Sequence, residues 1–169
     1  NDVSENIAYN SFTIHFRLLG YNVPEIYSRD RTYKYFILQD LGDTTLFNLL
    51  ETDREKALNL YKKVISDLLN FQIQGIKSMD LDVAYPVKKF NRRSIMWDLN
   101  YFKYYFVKPN NIEFNENLLE NDFVALADKL LSSENCYFNY RDFQSRNIMV
   151  QDDLLWYIDF QGGRQGPLQ

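Results

Sequence analysis

The chain has a single cysteine, Cys136, among its 169 residues. No intrachain disulfide can form, which excludes a disulfide-stapled secreted scaffold. No stretch approaches the roughly 20 apolar residues that span a bilayer, and no charged-then-apolar leader opens the sequence. The expectation is a cytoplasmic protein with no membrane partner. Positive charge is also short: 19 Lys and Arg stand against 23 Asp and Glu, giving a net charge of -4. A nucleic-acid binder needs an electropositive field to displace counterions, so that class is not expected, and any anionic ligand must be held locally. His15 is the one histidine, and with no cysteine nearby it is read as structural rather than as a metal ligand. No internal repeat or low-complexity tract is present.

What remains is apolar and aromatic. Hydrophobic residues make up 46% of the chain and aromatics 17%, enough to form a core in one globule. Asp2-Val3-Ser4-Glu5 reads as a capping box, and Ile7, Phe12, Phe16 and Leu19 recur at helical spacing until Gly20. Residues 23–27 and 33–38 read as a strand pair around Arg29-Asp30-Arg31. Asp40-Leu41-Gly42-Asp43 breaks the pattern and leads into a short segment from Thr45 to Leu50. Thr52-Asp53-Arg54-Glu55 is a second capping box, starting a long amphipathic helix that ends at Gly75. Residues 76–92, with Pro86 and the basic cluster Lys88, Lys89, Arg92 and Arg93, read as a loop. Ile95, Leu99, Phe102 and Phe106 mark the inward stripe of the next helix, stopped by Pro109. Asn115 caps another. Residues 148–150 and 154–158 form a second hairpin through Gln151-Asp152-Asp153. The order predicts α+β architecture.

The most informative segment is Tyr140-Arg141-Asp142-Phe143-Gln144-Ser145-Arg146-Asn147, followed by that hairpin and Ile158-Asp159-Phe160-Gln161. An Asp, an Asn five positions on and a second Asp beyond a short hairpin match the needs of phosphoryl transfer, which asks for positioning and charge neutralisation. Asp142 is the candidate base that orients an incoming hydroxyl. Asn147 offers a neutral hard oxygen and Asp159 an anionic one, so both are candidate Mg²⁺ ligands. The hairpin is expected to return Asp159 to the end that holds Asn147. The bland alternative makes Asp142 and Asn147 loop formers and Asp159 a strand end.

Residues 139–169 resemble the aminoglycoside phosphotransferase and choline kinase superfamily, in particular its bacterial branch similar to N-acetylmuramate and N-acetylglucosamine 1-kinases. Arg141 through Met149, Ile158 through Gln161, and Gly166-Pro167 carry the resemblance, with weaker agreement over most of the chain. It implies a protein-kinase-like fold: a partial nucleotide lobe and hinge over residues 1–43, then a mainly helical lobe over 44–169 with a catalytic β-hairpin. It implies ATP and Mg²⁺ as cofactors and a small-molecule acceptor, expected to be an amino sugar or related sugar. Gln39, Asp40 and Leu41 would face the adenine, and Trp97 through Phe102 fall near the acceptor pocket. Asp98 and Arg141 are the candidates for touching the acceptor. The family commonly has His before Arg-Asp; Tyr140 stands there instead, which implies loss of a hydrogen bond to the metal-binding segment. No Gly-rich phosphate loop or strand Lys precedes the first helix, and the family continues into further helices beyond Gln169. The resemblance therefore implies a fragment of a larger kinase, with a catalytically inactive binding or regulatory module as the alternative. A protein kinase is disfavoured because no Ala-Pro-Glu segment follows Asp159.

Other residues carry competing readings. Glu5 is either the partner of the family's strand Lys or the third member of its capping box. The aromatics Trp97, Tyr101, Phe102, Tyr104, Tyr105 and Phe106 are expected to pack in the core, with a sugar-stacking platform as the alternative. The basic cluster Lys88, Lys89, Arg92 and Arg93 is expected to be a solvated loop, with attraction of an anionic substrate or nucleotide sugar as the alternative, and Gly162-Gly163-Arg164 a flexible segment beside the acidic loop, with Arg164 as a candidate for holding that loop.

Overall fold

A computed structural model describes residues 2–168. Helix α1 (Val3–Leu18) starts where the Asp2 carboxylate accepts the Ser4 amide at 2.9 Å. It ends in a Schellman turn: Gly20, at φ 81°, sends its N–H to the Arg17 carbonyl at 3.0 Å, and Tyr21 reaches Phe16 at 2.9 Å. Ala8, Phe12 and Phe16, spaced four apart on one face, are buried.

Strands β1 (Ile26–Arg29) and β2 (Phe36–Leu38) pair antiparallel; β1 lies later than the predicted 23–27 and takes in Arg29, and β2 starts at Phe36 rather than at Tyr33. The late start of β2 comes from Asp30, whose carboxylate gathers the amides of Thr32, Lys34 and Tyr35 at 2.8–2.9 Å and so shapes residues 30–35 into a loop. The Thr32 hydroxyl and those amides hold its pKa well below the usual carboxylate range.

Helix α2 (Leu46–Thr52) is capped by Thr45, and α3 (Arg54–Ile73) by Asp53 rather than by the expected Thr52. Thr52 is the last residue of α2, and its hydroxyl turns back to the Asn48 and Leu49 carbonyls. His15 is structural, its Nε2 lying 2.7 Å from the Gly75 carbonyl beyond α3.

Helix α4 (Arg92–Phe102) runs on into a wider π turn, Lys103–Val107, and packs on α5 (Glu116–Ser132), capped by Asn115. The inward stripe is Ile95, Leu99, Lys103 and Val107, not the predicted 95-99-102-106. The wider turn brings Lys103 and Val107 inward and leaves Phe102 and Phe106 exposed. Lys103 is buried because Glu116 and Glu120 of α5 both receive its ammonium. The expectation that the six aromatics fill the core fails: all are between 46% and 69% exposed.

Four further strands follow: β3 (Tyr137–Asn139), β4 (Ile148–Gln151), β5 (Leu154–Tyr157) and β6 (Arg164–Gly166). β4 and β5 form a hairpin with Ile148 opposite Tyr157. Its two-residue turn, Asp152-Asp153, has φ values of 51° and 61°, the type I′ geometry that fits strand twist. β3 pairs with β6, and Phe90 and Lys88 bond to Gln165 on the other edge of β6. The predicted flexible 162–164 segment is thus a turn entering a strand, and Arg164 is 2% exposed.

One apolar core joins residues on both sides of position 43. Phe16 of α1 meets Phe71 of α3, Phe138 of β3 and Phe160 edge-on, with ring centroids 4.9–5.3 Å apart. Phe71 continues the cluster to Tyr140 and Tyr157. Edge-to-face pairs of this kind add about 0.5–1.5 kcal/mol each beyond burial. The acidic segments at 140–147 and 158–161 emerge directly from this rigid aromatic cluster.

Candidate functional site

The β4–β5 hairpin brings Asn147 and Asp159 to one end. The Ile158 amide donates to the Asn147 carbonyl at 3.1 Å, and the Asn147 side-chain amide donates to Asp159 Oδ2 at 2.9 Å. The same Nδ2 also reaches the Asp142 carbonyl at 3.1 Å, tying the loop to the hairpin. Both donors of that amide are then engaged, and Oδ1 is the atom left for a ligand. Gln161 donates to the other Asp159 oxygen at 2.7 Å. Asp159 itself sits at φ 65°, a left-handed conformation uncommon for a non-glycine residue. The next residue, Phe160, is fully buried, stacks on Tyr9 and anchors this backbone.

Arg141 also has a positive φ, 71°, and turns the chain so that Asp142 is exposed after the buried Tyr140. Asp142 and Asp159 line the same pocket of about 220 Å³, with Glu5 and Gln161 on its wall. Tyr140 donates its hydroxyl to the Ile158 carbonyl at 2.8 Å. Burial, and then the charges of Asp159 and Asp142, push its pKa well up, so it remains a neutral donor. The hydrogen bond to the Ile158–Asp159 segment that the His-to-Tyr difference implies is lost is present, made by the phenol.

A larger cleft of about 640 Å³ adjoins that pocket. Gln39, Asp40 and Leu41, the segment after β2, line it opposite Asn147 and Asp159, and Tyr9, Phe36 and Met149 give it apolar walls. Gln39 is held by its amide on the Glu25 carbonyl at 2.8 Å. Glu5 lines both cavities, and the cap of α1 is made by Asp2 to Ser4 without it.

Asp98 and Arg141 meet each other: Arg141 Nη2 lies 2.8 Å from both Asp98 oxygens. Their pair sits at the rim of a third cavity, which Trp97 also lines. Of the basic cluster, Lys88 pairs with Asp82 at 2.7 Å and Arg92 with Asp128, while Arg93 lines the third cavity. The sequence does not mark Gln161 as a site residue, whereas it offers Arg164 as a support for the acidic loop and Arg93 as one of a basic cluster with an anionic ligand as the alternative to a solvated loop. Gln161 belongs to the Ile-Asp-Phe-Gln segment, which was its only signal.

Among the described residues no group of three or more His, Cys, Asp and Glu gathers in metal-binding geometry. The hard oxygens at hand are Asn147 Oδ1 and the Asp159 carboxylate. Such a donor pair fits Mg²⁺, which keeps several waters and takes one or two protein carboxylates plus substrate phosphates. Among the described residues no helix is long and apolar enough to cross a membrane.

No family model matches the chain. It is similar to the N-acetylmuramate/N-acetylglucosamine kinase of Neisseria meningitidis, 26% identical over 153 residues that cover 87% of this chain and 43% of that protein. The protein of the same name from Pseudomonas aeruginosa is 25% identical over 153 residues, 88% of this chain and 42% of the relative. The chain thus spans less than half the length of these curated relatives.

Proposed function

We propose that this chain forms the metal- and acceptor-binding part of an ATP-dependent small-molecule phosphotransferase with a protein-kinase-like fold. The acceptor is a hydroxyl of an amino sugar or related sugar, the compound class named for the two relatives. The observation that carries this reading is the Asn147–Asp159 contact at 2.9 Å beside a pocket shared by Asp142 and Asp159.

In this reading the 640 Å³ cleft receives the nucleotide, with its adenine against the Gln39–Leu41 backbone and its phosphates toward Asn147 and Asp159. Those two side chains would hold Mg²⁺, which when bound neutralises charge on the phosphates. Asp142 is the base: exposed at the mouth of the small pocket, it accepts a hydrogen bond from the sugar hydroxyl and orients it for in-line attack. Asn147 bonds the Asp142 backbone and the Asp159 carboxylate together, so the base and the metal ligands move as one unit. Glu5, on the wall of both cavities, is in position to receive a phosphate-binding lysine.

The test is ADP release by the full-length protein with amino-sugar acceptors. Asp142→Asn is expected to abolish transfer and leave nucleotide binding in place. Unaltered turnover in that variant overturns the assignment of the base. Sugar and nucleotide binding without transfer by the unmodified protein favours a binding module instead.

A further inference from the structure

The stretch that delivers Asn147, Ser145–Asn147, is a single 3₁₀ turn, closed by the Asn147 amide on the Gln144 carbonyl at 2.8 Å, and no side chain caps it. So short a turn has poor hydrogen-bond geometry and little rigidity of its own. Its place is set by what flanks it. Asp159 and the Asp142 carbonyl hold the Asn147 side chain. Next to it, Arg146 lays its guanidinium on the Phe47 ring, 3.9 Å from the centroid. Arg146 is exposed, and Phe47 is half-buried on the first turn of α2, which packs on the 145–147 turn. A planar guanidinium stacks on an aromatic face in a way that the point charge of a lysine does not reproduce.

Helix α2 begins soon after the Gln39–Leu41 segment that lines the large cleft. Two other bonds run beside the stack: the Val150 amide donates to the Thr44 carbonyl at 2.8 Å, and Gln151 Nε2 to the Asp40 carbonyl at 3.5 Å. Residues 40–47 are thus tied to residues 146–151 at three places. Two of the ties end on β4; the Arg146–Phe47 stack is the one that reaches the turn carrying Asn147. Arg146 lines none of the three cavities, so it acts through Asn147 rather than by touching a ligand.

We propose that Arg146 is a positioning residue whose stack on Phe47 fixes Asn147 Oδ1 relative to the Gln39–Leu41 segment, and so sets how strongly a divalent cation and a nucleoside triphosphate favour each other's binding. The inference rests on the phosphotransferase reading, which puts the adenine against residues 39–41 and the metal at Asn147 and Asp159. A triphosphate held at both ends gains fully from the metal only when Asn147 already stands at the separation it spans. With the turn free to shift, part of that gain is lost to ordering it.

ATP affinity is measured by calorimetry with and without Mg²⁺ on the full-length protein, Arg146→Gln, Arg146→Lys, Phe47→Leu and the double variant Arg146→Gln/Phe47→Leu. In Arg146→Gln, metal-free affinity is expected to stay within about twofold, because an exposed charge is screened. The Mg²⁺-dependent gain in affinity falls about three- to fivefold, the size of one exposed cation–π contact. Phe47→Leu reproduces that fall, Arg146→Lys lies between it and the parent, and the double variant loses no more than the larger single one. An unchanged gain in Arg146→Gln, additive losses in the double variant, or full retention in Arg146→Lys overturns the proposal. So does an equal loss of affinity with and without Mg²⁺ in Arg146→Gln that Phe47→Leu does not share, which marks direct attraction of the nucleotide by the charge. Transfer is read separately: the expected pattern without transfer to any acceptor overturns the phosphotransferase reading and leaves the role of Arg146 standing. Absence of ATP binding by the unmodified protein overturns both.

Discussion

The Tyr140 hydroxyl donates to the carbonyl of Ile158 at 2.8 Å, linking the residue before Arg141-Asp142 to the residue before Asp159. The two acidic segments are 18 positions apart in the chain, and this bond, with the Asn147 amide, sets them in register. The phenol is 2% exposed, so no water replaces the bond when it is removed.

Tyr140→Phe keeps the ring in its edge contacts with Phe71 and Phe143 and removes only the donor. A loss of about 1 kcal/mol in unfolding free energy is expected, with a larger proportional fall in turnover than in nucleotide affinity. Denaturant titration and steady-state kinetics measure both. A variant as stable and as active as the parent shows that the bond does not set the register.

Phe160 holds Asp159 from behind. Phe160→Ala opens a cavity beneath the left-handed Asp159 backbone and is expected to cost about 3–5 kcal/mol. A smaller defect at the same place comes from Gly163→Ala, because a β-carbon there would fall 2.1 Å from Phe138 Cζ and 2.9 Å from the Phe160 carbonyl. That overpacking is expected to cost about 1–3 kcal/mol. Thermal unfolding orders the two; a neutral Gly163→Ala contradicts the close approach of the 162–163 turn to β3.

Metal dependence separates the ligand from its support. Asp159→Asn is expected to remove Mg²⁺-dependent activity, while Gln161→Ala frees one Asp159 oxygen and raises the Mg²⁺ concentration needed for half activation about tenfold. An Asp159→Asn protein with normal Mg²⁺ activation contradicts the ligand assignment.

The Lys103 clasp between α4 and α5 gives a defined pH dependence. Its hydrogen bonds to Glu116 and Glu120 raise the lysine pKa, so that contribution is complete below the ordinary value of 10.5 and fades only as pH rises through the raised value. The Lys103 hydrogen bond lowers the Glu116 pKa, so its contribution is complete above the ordinary 4.5 and fades as pH falls through the lowered value. Unfolding temperature should therefore fall more steeply below pH 4.5 in the parent than in Lys103→Met. Parallel acid limbs in the two proteins show that the clasp is not the titrating element.

Much of the fold was legible because it is encoded locally. Capping side chains and apolar spacing identify α1, α3 and α5, and the Asp152-Asp153 turn between apolar runs identifies the β4–β5 hairpin. That hairpin already implied the meeting of Asn147 with Asp159, since an antiparallel pair returns its ends to one place. The inward stripe of α4 was misread because helical periodicity assumes a uniform turn, and the π turn together with a buried Lys103 breaks that assumption. Strands β3 and β6 were missed because each has three residues and is defined by its partner rather than by its own pattern.

By itself the sequence determined the helices, the hairpin and the trio of Asp142, Asn147 and Asp159, because caps, turns and short-range spacing act within a few residues. Tertiary structure alone decided that the Tyr140 phenol reaches Ile158, that Arg141 meets Asp98, and that three arginines line one cavity with Trp97. Those contacts join segments as far apart as positions 93 and 164. They follow from how the aromatic core packs the elements together, which no local pattern in the chain encodes.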